Sequence, residues 1–433
     1  MPRQRTPREA DLVERAFRVL PGGTLGNVYL PKEEAFIISR GQGSHVWDVS
    51  GNEYIDYLLG SGPMLLGHAH PAVVQAVQEA VAQGSTFFLT NEPAVLLAEE
   101  ITRAVPCAEK VRFVTSGTEA DFFALRVARA YRRRDKILKF EGGYHGLSDY
   151  GAVSIFPKNN LPFPRGEINA AGVPQVLADL VLVAPYNDLK TTEHIIARHH
   201  EDLAAVIVEP FQRVIPPAPG FLQGLREITQ RYGIVLIFDE VVTGFRFAYG
   251  GAQEYYGVVP DLATLGKIVG GGYPLAAVVG KEAIMRHFDP ALEGTDGFVP
   301  LVGTLAGNPI AAVAGLATLR ELRRPGTYER LFAIGRKVRE GLQRALQEVE
   351  IPAHVVGEDP LFDVFFTAEP IVDYRSTRKA NAHRLGRFNA LLRERGILKG
   401  QSKFYISLAH TDEDILRTVS AFREVAGLLS QEG

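Results

Sequence analysis

From residue 71 onward, compact apolar runs alternate with helix-length segments, and this alternation leaves the chain very few folds. The runs are Val111 to Val114, Ile137 to Phe140, Val206 to Val208, Ile234 to Phe238 and Ala276 to Val279. They are too short for helices, and apolar enough to suit a sheet covered on both faces. Between them lie helical segments at 71–83, 93–104, 117–132 and 221–232. Strands buried on both faces and joined by helical crossovers form a mostly parallel sheet, which predicts a large α/β domain over 61–305.

The flanks have a different texture. Apolar positions at helical spacing (Leu12, Val13, Ala16, Phe17, Leu20) predict an N-terminal helix that Pro21-Gly22-Gly23 stops. Phe36 to Ile38, Val46 to Val49 and Tyr54 to Leu58, separated by Gly41, Gly43 and Gly51, read as short antiparallel strands. Past 305, helical stretches at 309–324, 327–348, near 379–395 and near 412–429 enclose apolar runs at Phe362 to Thr367 and Lys403 to Leu408. Residues 1–60 and 306–433 are therefore expected to form one smaller α+β domain. The stretch 154–176, with Pro157, Pro162, Pro164, Gly166, Gly172 and Pro174, fits neither period, and is expected to be an active-site lid or a disordered segment.

Composition removes several function classes. Forty-seven Lys and Arg against 50 Asp and Glu give a net charge of −3, which argues against a chain-wide polyanion-binding surface and so against a nucleic-acid partner. The single cysteine, Cys107, excludes an intramolecular disulfide and a polythiolate zinc site. His68 and His70 sit in a turn far from the acidic residues considered below, and no metal site is expected. No apolar run is long enough to span a bilayer, and the first 15 residues lack an apolar signal region, so no membrane partner and a cytoplasmic location are expected.

Three features carry chemistry. Lys267 stands in Leu265-Gly266-Lys267 just before Gly270-Gly271-Gly272, flanked by apolar residues where an ammonium is costly unless it reacts or pairs. Asp239-Glu240 ends the most hydrophobic run, where ligands bind in open α/β sheets. Ser116-Gly117-Thr118-Glu119 opens a helix after the run at 111–114, placing N–H and hydroxyl donors where a phosphate can sit; alone, the string is only a capping box. It lacks the phosphate-loop spacing, so a nucleotide-binding domain is disfavoured. A lysine, an acid and an anion-binding helix terminus together ask for a ligand with an aldehyde, a basic ring nitrogen and a phosphate. Pyridoxal 5′-phosphate has all three.

At this point the sequence resembles the class III aminotransferases of the type I pyridoxal-phosphate transferase fold, and within them the glutamate-1-semialdehyde aminomutases. The similarity runs from Pro21-Gly22-Gly23 to Ser407-Leu408-Ala409-His410-Thr411. It is carried by Ser116 to Ala120, Phe140 to Gly146, Val208-Glu209-Pro210, Gly220-Phe221-Leu222, Phe238 to Arg246, Leu265-Gly266-Lys267 and Gly303 to Pro309.

The resemblance implies roles for individual residues. Lys267 would be the Schiff-base lysine and proton carrier, and Asp239 would keep the pyridine nitrogen protonated. Ser116, Gly117 and Thr118 would surround the phosphate, and Thr304 would reach the phosphate of a neighbouring subunit, making a homodimer with shared active sites. Tyr144 would stack on one ring face and Val241 pack on the other, with Glu209 in the polar surround. Pyridoxamine 5′-phosphate would be the intermediate that passes the amino group from a donor to a keto-acid acceptor.

The substrate-facing positions depart from the aminomutase pattern. Thr24-Leu25-Gly26-Asn27-Val28-Tyr29 has no arginine, Ser61 replaces a tryptophan, and Gly400-Gln401-Ser402-Lys403-Phe404-Tyr405 has no acid. Arg213, four residues past Glu209, stands where a glycine or small residue is usual. Arg213 and Tyr29 are the candidate substrate-binding residues. A diamine intermediate loses its partners, so the expectation is an aminotransferase acting between two substrates, with aminomutase activity as the alternative. A non-catalytic protein of the same fold is disfavoured because Lys267 and Asp239 are both kept.

Overall fold

The computed structural model describes residues 3–26 and 28–432. Asn27, within the segment Thr24 to Tyr29, lies outside them. The chain forms two compact units: one from Ala72–Tyr328 with Ile371–Arg378, the other from the N-terminal part to Pro71, Glu329–Pro370 and Lys379 onward.

The larger unit is built on a seven-stranded sheet in the order Lys110–Val114, Ala276–Gly280, Leu262–Leu265, Val235–Glu240, Leu203–Val208, Lys136–Phe140, Val181–Ala184. Ala276–Gly280 runs antiparallel to both neighbours, and every other pairing is parallel. Helix Gly117–Arg132 lays a stripe of small residues, Ala120, Ala124 and Ala128, on Ile137, Ala205, Ile237 and Leu262 of the sheet. Small side chains let the helix approach closely, so its N-terminus ends near the carboxyl edge of the central strands. No helix among the described residues is long and apolar enough to cross a membrane.

The units divide at 71/72 and 328/329 rather than at the expected 60/61 and 305/306. Helix Pro309–Leu322 packs on helix Glu92–Ala104 and on the turn Lys267–Gly270, inside the larger unit. A side chain at Gly315 would put its Cβ 2.2 Å from the Val269 carbonyl, so this helix directly buttresses the turn that carries Lys267. Strands Val181–Ala184 and Leu262–Leu265 were not expected from the pattern; both are only four residues long, and the second is interrupted by Thr264. The helix expected near 379–395 is Ala382–Glu394, and a single helical turn, Tyr374–Thr377, precedes it.

The stretch 154–176 is irregular, as its composition predicts, but it is strapped down. Ser154 N–H donates to the Glu167 carbonyl, and the Glu167 carboxylate accepts from the N–H groups of Lys158 and Asn159. Arg375 pairs with Glu141 through two nitrogens, at 2.8 and 3.0 Å, donates to the Leu161 carbonyl and covers the Phe163 ring. Tyr374 donates its hydroxyl to the Pro157 carbonyl. Any lid motion would have to break these ties.

The smaller unit contains a four-stranded sheet in the order Ile38–Gln42, His45–Asp48, Glu53–Asp56, Ile397–Leu398, and a three-stranded antiparallel sheet, His354–Glu358, Leu361–Phe365, Phe404–Tyr405. Helices Thr327–Glu348, Ala382–Glu394 and Asp412–Gln431 contribute its apolar stripes. Its core holds a dry ion pair, Lys399 Nζ to Asp363 Oδ1 at 2.8 Å, with both side chains at most 1% exposed. Burial pushes the Asp363 carboxyl up, although Lys399 pulls it back. Lys399→Met is expected to leave an uncompensated buried acid and to cost about 3–5 kcal/mol. The double variant Lys399→Met/Asp363→Leu should recover most of that loss, as urea unfolding of the two variants will show.

Candidate active site

Asp239 is the penultimate residue of strand Val235–Glu240, where its side chain leaves the sheet edge, 5% exposed. Its Oδ2 lies 2.8 Å from His145 Nδ1, and its Oδ1 accepts the Val241 N–H at 3.1 Å. These bonds fix the carboxylate's direction. His145 is 1% exposed, and its Nε2 has no hydrogen-bond partner among the described residues. The neighbouring strand pairs Thr264 with Asp239, which places Lys267 at the same edge two residues beyond Leu265. Lys267 adopts φ +52°, a left-handed conformation uncommon outside glycine and characteristic of functional sites.

Above this edge begins helix Gly117–Arg132. The Ser116 hydroxyl accepts from Glu119 N–H, and the Glu119 carboxylate accepts from the N–H groups of Ser116 and Thr115. Burial pushes the Glu119 carboxyl up, but these donors outweigh it and hold it below the usual range. Ser116 is thereby spent on the cap. The N–H groups of Gly117 and Thr118, in the first turn of the helix, have no partner among the described residues, as an anion site requires.

Two glycines bring the parts together. A Cβ at Gly117 would meet Val241 Cγ1 at 2.9 Å, and one at Gly146 (φ +72°) would meet Thr118 Cα at 2.6 Å. Val241 and the Tyr144-His145-Gly146 loop thus flank the helix start on two sides. Tyr144 N–H donates to Glu209 Oε1 at 2.7 Å, and Arg213 N–H to Glu209 Oε2 at 3.2 Å. Glu209 therefore works as a clamp between two loops. Lys267, Asp239, Gly117, Thr118, Tyr144, Val241, Glu209 and Arg213 all belong to the larger unit.

An acid fixed in direction, unpaired helical N–H groups, an apolar wall at Val241 and a lysine on the same edge suit a phosphorylated pyridine aldehyde. The matching family model, aminotransferase class III, covers residues 29–424. The chain belongs to the class III aminotransferases. It is 43% identical over 423 residues to a glutamate-1-semialdehyde 2,1-aminomutase 2 of Brevibacillus brevis, covering 96% of this chain and 97% of the relative. Among solved structures, an omega-transaminase from Sphaerobacter thermophilus is 39% identical with a TM-score of 0.91, 97% of each chain being covered. A transaminase with PLP bound is 33% identical with a TM-score of 0.91, over 100% of both chains. The fold is that of these pyridoxal-phosphate enzymes, and pyridoxal phosphate is the cofactor of this class III aminotransferase.

Thr304 is exposed and lines a groove with Asn91, Val111 and Phe113, beside exposed Phe88 and Val302. Tyr29 is in the smaller unit, 60% exposed. Sequence reasoning gave no individual role to His145, Thr264 or Asp121. The signal for Asp121 was present, because an acid between Ala120 and Ala124 interrupts an apolar stripe.

Gly146→Ala is expected to displace the helix start and weaken pyridoxal-phosphate binding about tenfold or more, since left-handed strain of ~1–2 kcal/mol adds to a backbone clash. Gly172→Ala, also at positive φ (+88°) but with nothing within 4 Å of its Cβ, should leave cofactor affinity unchanged. Equilibrium titration of the apoprotein with cofactor measures both.

Proposed function

We propose that the protein is an intermolecular aminotransferase that takes an amino group from a carboxylate-bearing donor and passes it to a keto acid. Lys267 anchors the cofactor and moves the proton. Asp239 holds the ring nitrogen, Gly117 and Thr118 hold the phosphate, and Tyr144 and Val241 enclose the ring. Bound cofactor supplies the electron sink that lets a Cα–H bond break. The chain's own residues orient the ring, exclude water from its Val241 face and keep one amine at the reacting edge.

The observation that carries this reading is the state of Arg213. Its backbone is held at φ +61° by the Glu209 clamp and by the Gln212–Ile215 bridge. Its guanidinium stands 5.4 Å from the Tyr144 ring centre and 5.2 Å from that of Phe156, with no carboxylate partner among the described residues. Meanwhile Glu209 and Glu141 are committed to N–H groups and to Arg375. Uncommitted charge beside Tyr144 is thus cationic. That suits a substrate carboxylate and offers nothing to the second ammonium of a diamine. Likeness to an omega-transaminase points the same way.

The second reading, glutamate-1-semialdehyde aminomutase activity, is favoured by the 43% identity to curated enzymes of that name. A panel of amino donors with pyruvate or 2-oxoglutarate, run beside glutamate-1-semialdehyde, separates the two. The intermolecular reading expects turnover with at least one donor–acceptor pair and little isomerisation.

A homodimer with shared sites is part of the proposal. Phe87, Phe88, Leu89, Val302 and Leu305 are 49–79% exposed around the Thr304 groove, an apolar surface that a second copy of the chain would cover.

Arg213→Ala should lower kcat/KM for acidic donors about 10- to 100-fold, one or two charge-assisted bonds, and change simple amines little in their own half-reaction. Equal losses for both substrate types would remove Arg213 from recognition. Mixing a Lys267→Ala chain with a Thr304→Ala chain at limiting cofactor should restore activity, because one site of the mixed dimer keeps both residues. No recovery in a verified mixed dimer would mean that Thr304 does not cross.

A further inference from the structure

One buried acid at the site has no role in the scheme above. Asp121 is 2% exposed and follows Gly117 by four residues, so it lies on the same face of helix Gly117–Arg132, above Asp239 and Thr264. An ionised carboxylate among Ala120, Ala124 and Leu125 would be costly to desolvate without a cation. Its hydrogen-bond partner is instead a hydroxyl, Thr264 Oγ1, at 2.7 Å from Asp121 Oδ1. That hydroxyl is also 3.4 Å from Asp239 Oδ1. One carboxyl oxygen each of Asp121 and Asp239 and one ring nitrogen of His145 all lie within 4.8 Å of one another.

This cluster is short of hydrogens. Thr264 has one and cannot serve two anions. His145 Nδ1 is directed at Asp239 Oδ2, and the Val241 N–H at Asp239 Oδ1. A bound metal cation would compete with the ring nitrogen for Asp239, so the hydrogen that lies between the two carboxyls is best supplied by a proton on one of them. Two carboxyls in one site behave in this way generally: one ionises and the other keeps its proton. Burial, then the Asp239 charge, pushes the Asp121 carboxyl well above the usual range. Other titratable groups reach this cluster from the surrounding elements. Lys267 acts from the turn after Leu262–Leu265, and Tyr144 and His145 from the loop after Lys136–Phe140. Lys139 lies within that strand, but its amine is committed to the carbonyls of Gly151 and Val153. Burial lowers the Lys139 pKa to about 7.

We propose that Asp121 is a positioning residue for the cofactor's ring nitrogen: as a neutral carboxylic acid it donates a hydrogen bond to Asp239, fixing that carboxylate and drawing off part of the charge it presents to the ring. The inference rests on Asp239 being the ring-nitrogen partner. Its consequence is electronic. The more charge Asp239 turns to the ring, the more firmly the ring keeps its proton, so Asp121 sets how strongly the ring withdraws electrons while Lys267 moves the substrate proton.

The test is a pH titration of the visible absorption band of the holoenzyme, with cofactor content measured separately. Asparagine reproduces the donor and acceptor pattern of a neutral aspartic acid, accepting from Thr264 and donating to Asp239. Asp121→Asn should therefore superimpose on wild type. Asp121→Ala removes the donor, and should raise the midpoint by about one pH unit, a tenfold change in proton affinity. Asp121→Leu, apolar and better filling, is carried in parallel in case the alanine variant does not fold. A lower midpoint in Asp121→Asn would show that Asp121 is an anion and would overturn the proposal, as would Ala and Leu variants that titrate like wild type. A role confined to stability would lower the melting temperature without moving the midpoint. Asp239→Asn serves as the reference. If that variant titrates like wild type, the assignment of Asp239 is wrong and the inference falls with it.

Discussion

A carboxylate held out of water at the carboxyl edge of the sheet is the constraint around which the larger unit is organised. Asp239 can remain there only because its oxygens are met from several directions: by His145 and the Val241 N–H, with the Thr264 hydroxyl, bonded to Asp121, packed beside them. Each comes from a different part of the chain, so satisfying one buried charge fixes the relative positions of the loop at 144–146, the strand end at 239–241 and the strand before Lys267. A buried charge that lost these partners would be costly, and this cost holds the site in one geometry before any substrate arrives.

The second layer of the site consists of clamps. Glu209 joins the Tyr144 loop to the Arg213 turn through two N–H groups. Glu141, at the end of strand Lys136–Phe140, takes Arg375, and Arg375 in turn holds the loop at 161–163. Such ties suit an enzyme whose work is orientation, with the reactive electronics left to the cofactor. They also explain why the stretch at 154–176 lacks periodic pattern yet is not loose: its partners are side chains distant in sequence.

Much of this was legible in the sequence, for physical reasons. Five of the seven strands carry a predominantly apolar run that the sequence shows, as a sheet covered on both faces requires. Asp239, Lys267 and the Ser116–Thr118 helix start were legible because a charge beside an apolar run, or a cap at a helix start, is a local signal. What was missed depends on pairing between distant segments. Leu262–Leu265 was hidden by Thr264, whose hydroxyl serves the acid cluster rather than the core. His145 and Asp121 acquire meaning only once the helix is folded over Asp239. Helix Pro309–Leu322 read as part of the smaller domain because nothing local shows that Gly315 lies against the Lys267 turn. Ser116 was placed near the phosphate by motif, but its hydroxyl is engaged in the capping box with Glu119.

An intermolecular aminotransferase releases the carbonyl product of its donor before the acceptor binds. The most direct test is a single-turnover experiment with the purified holoenzyme and an acidic amino donor alone. The account predicts loss of the visible cofactor band, release of one keto-acid product per active site, and recovery of the band when a keto-acid acceptor is added. If no donor in the panel discharges the band while glutamate-1-semialdehyde is isomerised at a substantial rate without releasing a carbonyl product, the intermolecular account is contradicted.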